Sequence, residues 1–196
     1  MEVLAALSES VQKGAFRDTI ELTGKAIAAG MAPGVILEQG LIAAMGITGE
    51  RFKNGEIFVP EMLIAARAMN KALEILEPEM VKGGVAARGT FMIGTVQGDL
   101  HDIGKNLVGI MYKGAGFRVI DLGTDVAVET FVAAAREHRP DIIGLSSLLT
   151  TTMPPMQLII EALRKNGIPA KIIVGGAPIT ADFALKIAAE GYADNA

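Results

Sequence analysis

Over residues 1–80, apolar positions return at intervals of three and four. Val3, Leu4, Leu7 and Val11 share one face of a helix. So do Phe16, Ile20 and Ile27, then Ile36, Leu41 and Met45, and last Met62, Leu63, Ala66, Met69, Leu73 and Leu76. Gly14, Gly30 and the Lys53-Asn54-Gly55 segment interrupt the pattern where helices should stop. Helices of this number and length predict a small four-helix bundle. The periodicity lapses from Glu77-Pro78 onward through Gly83-Gly84 to Ala86-Ala87, which reads as a linker.

After the linker the period changes. Short apolar runs at 90–96, 118–122, 141–145 and 171–174 read as strands. Helical patterns near 103–115, 127–138, 153–166 and 180–190 alternate with them, and a short fifth strand is expected at 191–193. Strand–helix alternation implies right-handed crossovers and a parallel sheet. The expected fold class is therefore α/β, an N-terminal four-helix bundle followed by a doubly wound, flavodoxin-like sheet. Its domains are a helical cap over 1–80, a linker over 81–88 and an α/β domain over 89–196. A further helix is expected after Ala196, so the last crossover reads as incomplete.

Composition narrows the chemistry. The chain has 196 residues, 51% of them apolar, and a net charge of −4. That balance gives no reason to expect nucleic acid or an anionic membrane as partner. Cysteine is absent and the histidines are only two, His101 and His138. Thiolate, iron–sulfur and His-rich metal sites are thereby excluded, so a metal held here is held by very few protein atoms. The uncharged stretch 142–160 nearly matches a bilayer in length, but Pro154, Pro155 and a Ser/Thr run mark it as strand, loop and helix start. The opening MEVLAALSES lacks a basic start and a cleavage pattern, so no secretory leader and no membrane span are expected. A cytoplasmic location follows.

In open parallel sheets, ligands bind beyond the carboxyl ends of the strands. The first strand is followed by Gln97-Gly98-Asp99-Leu100-His101-Asp102-Ile103-Gly104, the third by Ser146-Ser147-Leu148-Leu149-Thr150-Thr151-Thr152, and the fourth by Gly175-Gly176-Ala177. The unusual residues therefore gather on one edge of the sheet. Singly, each has a structural explanation: a loop histidine, hydroxyls capping a helix that starts at Pro154 or Pro155, a Gly-Gly turn. The run from Gly98 to Gly104-Lys105 resembles a phosphate loop, but the spacing is one residue off and Asn106 replaces the Ser/Thr that would hold magnesium. Asp99 and Asp102 would also repel phosphate. A phosphate-accepting receiver domain needs an acidic pair ending the first strand and a lysine ending the last, and neither is present.

Asp99-x-His101-x-x-Gly104, Ser146-x-Leu148 and Gly175-Gly176, in that order, resemble the cobalamin-binding signature D-x-H-x-x-G, S-x-L, G-G. Phe52 with Phe58-Val59-Pro60-Glu61 resembles the helical cap of methyl-carrying corrinoid proteins. The resemblance covers nearly the whole chain. It is similar to the cobalamin module of methionine synthase, and nearer in layout to the free-standing corrinoid proteins of methylamine, methanol and methoxy-aromatic methyltransferase systems. It implies a base-off/His-on corrinoid, with His101 as the cobalt ligand. Asp99 would accept the other ring N–H, and Thr152 would continue a proton relay to solvent.

Around the corrinoid the resemblance places Gly98, Asp99, Leu100, His101, Asp102, Gly104, Ser146, Leu148, Thr150, Gly175 and Gly176. The three glycines at 104, 175 and 176 would leave room for the displaced nucleotide tail, and Ser146 and Thr150 would hydrogen-bond it. The terminal segment from Tyr192 to Ala196 would close that pocket. Phe52 and Val59 would shield the methyl group, and Glu38 would touch the corrin edge.

The function so implied is a methyl shuttle. Methylcobalamin forms when cobalt(I) accepts a methyl group from a substrate-specific methyltransferase. A second methyltransferase then passes the methyl group to tetrahydrofolate or a thiol, and a reductive activase restores cobalt(I). A linker that flexes would let each partner in. The alternatives are a cobalamin-dependent sensor, disfavoured by the lack of a further domain and of a basic patch, and a mutase cobalamin subunit, disfavoured by the methyl-type cap.

Overall fold

The computed structural model describes residues 2–84 and 86–193. The chain divides into two compact units with the boundary between Arg88 and Gly89; residues 113–116 are grouped with the first.

In the helical unit, α1 (Glu2–Gln12) and α2 (Phe16–Ala28) pack as expected, and the turns after them are closed by Gly14 and Gly30 with positive φ. The third helical stretch is not uniform. A turn of α-helix, α3 (Pro33–Val35), widens into a π-helical segment (Ile36–Ile42) before α4 (Ala43–Lys53) resumes. A Cβ on Gly40, inside the wide turn, would lie 2.8 Å from the Leu7 side chain, so the glycine lets α1 press against it. The last helix, α5 (Val59–Lys82), starts with Pro60 in its first turn, where the missing N–H costs nothing, and with the Glu61 carboxylate accepting the Phe58 N–H at 3.1 Å.

The linker expected from Glu77-Pro78 is corrected here: α5 runs through Pro78 to Lys82. Proline deprives the Glu74 carbonyl of its helical partner. Glu74 and Pro78 are both exposed, so water can satisfy that carbonyl. The helix ends where Gly83 and Gly84 donate their N–H groups to the Glu79 and Val81 carbonyls.

The second unit is a five-stranded sheet in the order β2-β1-β3-β4-β5, with every pairing parallel. The strands are β1 (Thr90–Thr95), β2 (Arg118–Asp121), β3 (Ile142–Ser146), β4 (Lys171–Gly175) and β5 (Gly191–Tyr192). Helices α6 (Ile103–Gly114), α7 (Val128–His138), α8 (Pro154–Lys165) and α9 (Ala181–Lys186) alternate with them. A 3-10 turn, Thr150–Thr152, precedes α8. Five of the six β1 residues are buried, which is why the strand reads as a continuous apolar run. Its core partners include Phe131, Ile143, Met156 and Ile159, all fully buried.

The last helix is shorter than the expected 180–190. Ala188 takes a left-handed conformation (φ 58°) that ends it, and the following turn lets Glu190 hold β4. The Glu190 N–H bonds to the Ile172 carbonyl, and its carboxylate accepts the Ile172 N–H at 2.7 Å.

The order 2-1-3-4-5 puts the change of winding direction between β1 and β3, the place where such sheets bind ligands.

Phe131 on α7 fills the hollow above Gly94 of β1; a Cβ there would lie 2.8 Å from its ring. Phe131→Ala is expected to destabilise the sheet unit by about 3–5 kcal/mol. Urea unfolding followed by tyrosine fluorescence measures this. The chain has no tryptophan and only two tyrosines, and both Tyr112 and Tyr192 belong to the sheet unit. A loss below about 1 kcal/mol contradicts the packing described.

Candidate functional site

The loop from β1 to α6 is held at several points. Gly98, with φ 85°, turns the chain and donates its N–H to Asp125 Oδ1 at 2.7 Å. The Asp125 N–H reaches back to the Asp99 carbonyl at 2.9 Å. The buried Thr95 hydroxyl donates to the His101 carbonyl at 2.8 Å.

Asp99 is the hub of the site, and its side chain is fully buried. One carboxylate oxygen accepts the His101 N–H at 3.0 Å and faces His101 Nδ1 at 2.7 Å. The other accepts the Leu148 and Leu149 N–H groups at 2.7 and 3.3 Å and the Thr152 hydroxyl at 2.8 Å. Burial alone pushes a carboxyl upward. Here the His101 and Leu148 N–H groups, the His101 ring and the Thr152 hydroxyl together outweigh it and hold Asp99 well below the usual carboxylate range. An ionised Asp99 can only accept, so the proton of a neutral His101 ring sits on Nδ1. The Nε2 lone pair is then free. The imidazole is 52% exposed. Leu100, Ile103, Leu148 and Leu149 are exposed as well, at 74%, 75%, 43% and 42%. This leaves an open apolar rim with one basic nitrogen in it.

Behind Asp99 the hydroxyl chain runs inward. Thr152 Oγ1 lies 2.7 Å from Ser147 Oγ, and Thr152 and Ser147 are both buried. Thr152, expected as the next member of a relay, is in place beside Asp99, and Ser147 Oγ in turn donates to the Leu149 carbonyl at 3.2 Å. Sequence reasoning missed Ser147. Of the adjacent serines 146 and 147, the S-x-L spacing selects the first, whereas the second is the one joined to Thr152. Ser146 ends β3 opposite Thr95 and Gly175.

The three glycines differ in their reasons. A Cβ on Gly176 (φ 131°) would lie 1.7 Å from the Ser147 carbonyl oxygen, so the fold itself requires this glycine. Around Gly104 and Gly175 a Cβ would meet nothing within 4 Å, and neither has a positive φ. Their missing side chains answer no internal need and leave space beside the histidine loop and at the end of β4. A cavity of about 350 Å³ opens next to Gly175, lined by Val108 and Tyr112 of α6, Ile173 of β4, and Tyr192 and Ala193. Val108 and Tyr112 were not anticipated. Tyr192 was, and Ala196 lies outside the described residues. A wider groove of about 790 Å³ lies at the opposite, amino-terminal edge of the sheet, around Arg139 and Lys171, and contains none of these residues.

Other expected site residues are placed as follows. Leu148 and Thr150 are exposed on the β3 loop. Asp102 turns to Asn106, which donates to it at 3.0 Å. Lys105 does not face a phosphate site; it is buried against Asp121. In the helical unit, Phe52 in the last turn of α4 and Val59 at the start of α5 are half-buried, and Glu38 of the π-helical segment pairs with Arg88 at 2.7 Å. Among the described residues no three His, Asp or Glu side chains gather to hold a metal. A metal beside His101 would arrive with most of its ligands, as cobalt in a corrin ring does. The free nitrogen, the apolar rim and the two unfilled glycine positions fit such a group.

Comparison with known proteins places the chain in a family. Residues 89–196 match a family model described as "B12 binding domain", and residues 3–77 match a second model of the same description. The chain belongs to the B12-binding corrinoid proteins. Trimethylamine corrinoid protein 1 of Methanosarcina mazei is 42% identical over 100% of this chain and 92% of its own length. Among solved structures, the methanol:cobalamin methyltransferase complex of Methanosarcina barkeri matches with a TM-score of 0.87 and 30% identity, over 98% of this chain and 74% of that one. A cobalamin-binding protein from Desulfitobacterium hafniense matches with a TM-score of 0.81 and 30% identity, over 98% and 92%. Among this corrinoid protein's described residues, no helix is long and apolar enough to cross a membrane.

Two outcomes are expected of the protein without cofactor. Gly176→Ala should destabilise the sheet unit by more than the roughly 1–3 kcal/mol that a strained backbone costs. Gly175→Ala should change it by less than about 0.5 kcal/mol. Equal effects in urea unfolding contradict the assignment. Because Asp99 is held below its unfolded value of about 3.9, its contribution is complete above that pH and is lost as pH falls toward the depressed folded value. Stability measured from pH 7 to pH 3 should therefore fall more steeply for the wild type than for Asp99→Asn. Parallel curves would refute the buried, ionised carboxylate.

Proposed function

We propose that this corrinoid protein is a methyl carrier that binds its cofactor base-off/His-on, with Nε2 of His101 as the protein's ligand to cobalt. The observation that carries the reading is the imidazole itself. Its Nδ1 is fixed by a buried carboxylate, its Nε2 is left free, and the two loops that build the site expose leucines and an isoleucine. A carboxylate behind a ligating imidazole fixes its tautomer and raises its basicity.

The corrinoid supplies a cobalt that takes up a methyl group from one partner and yields it to another. The chain's own residues hold and tune it. Asp99 orients the ring, and the Thr152 hydroxyl, with Ser147 behind it, would relay to solvent the proton given up or taken by the Asp99–His101 pair as the imidazole binds or leaves. Gly104 and Gly175 leave space for the nucleotide tail, with the cavity beside Tyr112 and Tyr192 as its slot; Ser146 and Thr150 offer hydroxyls to it. By the family resemblance, Phe52 and Val59 would shield the methyl group and Glu38 would meet the corrin edge. Among the described residues no acid–base group is placed for a substrate, so activation of donor and acceptor is assigned to the partners.

Those partners are a substrate-specific methyltransferase, a second methyltransferase whose acceptor is tetrahydrofolate or a thiol, and a reductive activase. The 42% identity to a trimethylamine corrinoid protein supports a methylated amine as the donor class.

His101→Ala tests the ligand. The variant should keep its fold, bind hydroxocobalamin at least about tenfold more weakly, and give a different visible spectrum. A spectrum identical to wild type removes His101 from the cobalt. Stronger binding of adenosylcobalamin than of methylcobalamin to the wild type would replace the carrier by a sensor.

A further inference from the structure

A second polar chain lies beside the first, and apart from Asp102 its members take no part in the roles above. Lys105 stands in the first turn of α6, with its side chain 2% exposed. Its Nζ donates to Asp121 Oδ2 at 2.5 Å and to Asn106 Oδ1 at 2.7 Å. Asn106 donates from Nδ2 to Asp102 Oδ2 at 3.0 Å, and its N–H meets the Asp102 carbonyl at 2.7 Å. Asp121 ends β2 and accepts the Gly123 N–H on its other oxygen at 2.8 Å. The chain Asp121–Lys105–Asn106–Asp102 thus joins the end of β2 to the residue next to His101.

Packing does not explain a cation here. Burying an ammonium forfeits its hydration, and an apolar side chain of similar length would fill the space as well or better. Asp121 is 45% exposed, so it stays hydrated with or without its partner. What the ammonium adds is direction: it fixes two oxygens on different segments at once. The upstream half of the histidine loop is held by Asp125 and by the Asp99 hub. Downstream, the loop passes directly into α6, and the Lys105 chain holds that junction.

We propose that Lys105 is a positioning residue for His101. By holding Asp121 and Asn106 it sets where the loop enters α6, and so the direction in which Nε2 points. A ligating group has to be placed within about 0.5 Å of its productive position. The proposal rests on His101 being the cobalt ligand.

The test uses the full chain reconstituted with hydroxocobalamin, as wild type, His101→Ala, Lys105→Met and Asp121→Asn. Tyrosine fluorescence and melting of the cofactor-free proteins report the fold. Visible spectra taken against pH report the fraction of cobalt that carries the imidazole. Lys105→Met should fold, bind hydroxocobalamin about tenfold more weakly, and lose the imidazole-bound spectrum about one pH unit higher than wild type. Asp121→Asn should shift in the same direction by less, because an amide oxygen still accepts from the ammonium.

If wild type and His101→Ala share one spectrum, the ligand assignment falls and this proposal falls with it. If they differ while both Lys105→Met and Asp121→Asn titrate like wild type, the proposal alone falls. Should Lys105→Met fail to fold, Asp121→Asn decides: its carboxylate is half-exposed and the change is isosteric, and a wild-type midpoint overturns the proposal.

Discussion

A single buried carboxylate organises the functional end of this protein. Asp99 is fully buried and ionised, and a charge in that setting is tolerable only if every lone pair meets a donor. The donors come from its own loop and from the loop after β3, the latter 49 to 53 residues away in sequence. Satisfying one charge therefore pins two loops together at the point where the sheet's winding reverses. The orientation of His101 is a by-product of that requirement. Its ring is the part of the network left at the surface.

Space at the site has two physical origins. Gly176 is glycine because the Ser147 carbonyl occupies the place of a Cβ. Gly104 and Gly175 are glycine although nothing occupies that place. The first belongs to the stability of the loop pair; the others leave open space that the fold itself does not use. The same division runs through the polar groups. The hydroxyls of Thr152 and Ser147 face inward and sustain Asp99, while Ser146 and Thr150 stand at the end of β3 and on its exposed loop. A cofactor that brings its own metal and equatorial ligands asks little more of a protein than one basic nitrogen and a cradle.

The helical unit shows how a local pattern can conceal geometry. The apolar spacing through Ile36, Leu41 and Met45 is that of a helix, and a helix is there. Its central turn is nonetheless π-helical, and Gly40 within that turn leaves room for Leu7. Wide turns of this kind gather at functional sites. Glu38, singled out by resemblance, sits in this one.

Local order was legible in the sequence. The change from helical to strand periodicity marked where the strands begin, every strand boundary fell within a residue or two, and the Asp-x-His-x-x-Gly loop stood on the edge where ligands bind. Periodicity reports which face of an element is buried, a property of neighbouring residues. It carries nothing about partners that strand order brings together. Which of Ser146 and Ser147 meets Thr152, that Lys105 is buried against Asp121, and that the hydroxyl chain turns inward were decided by the tertiary structure, because each depends on segments that touch only once the sheet has formed. The continuation of α5 through Pro78 has a different cause: Glu74 and Pro78 are exposed, so water can take the place of the helical N–H that proline lacks.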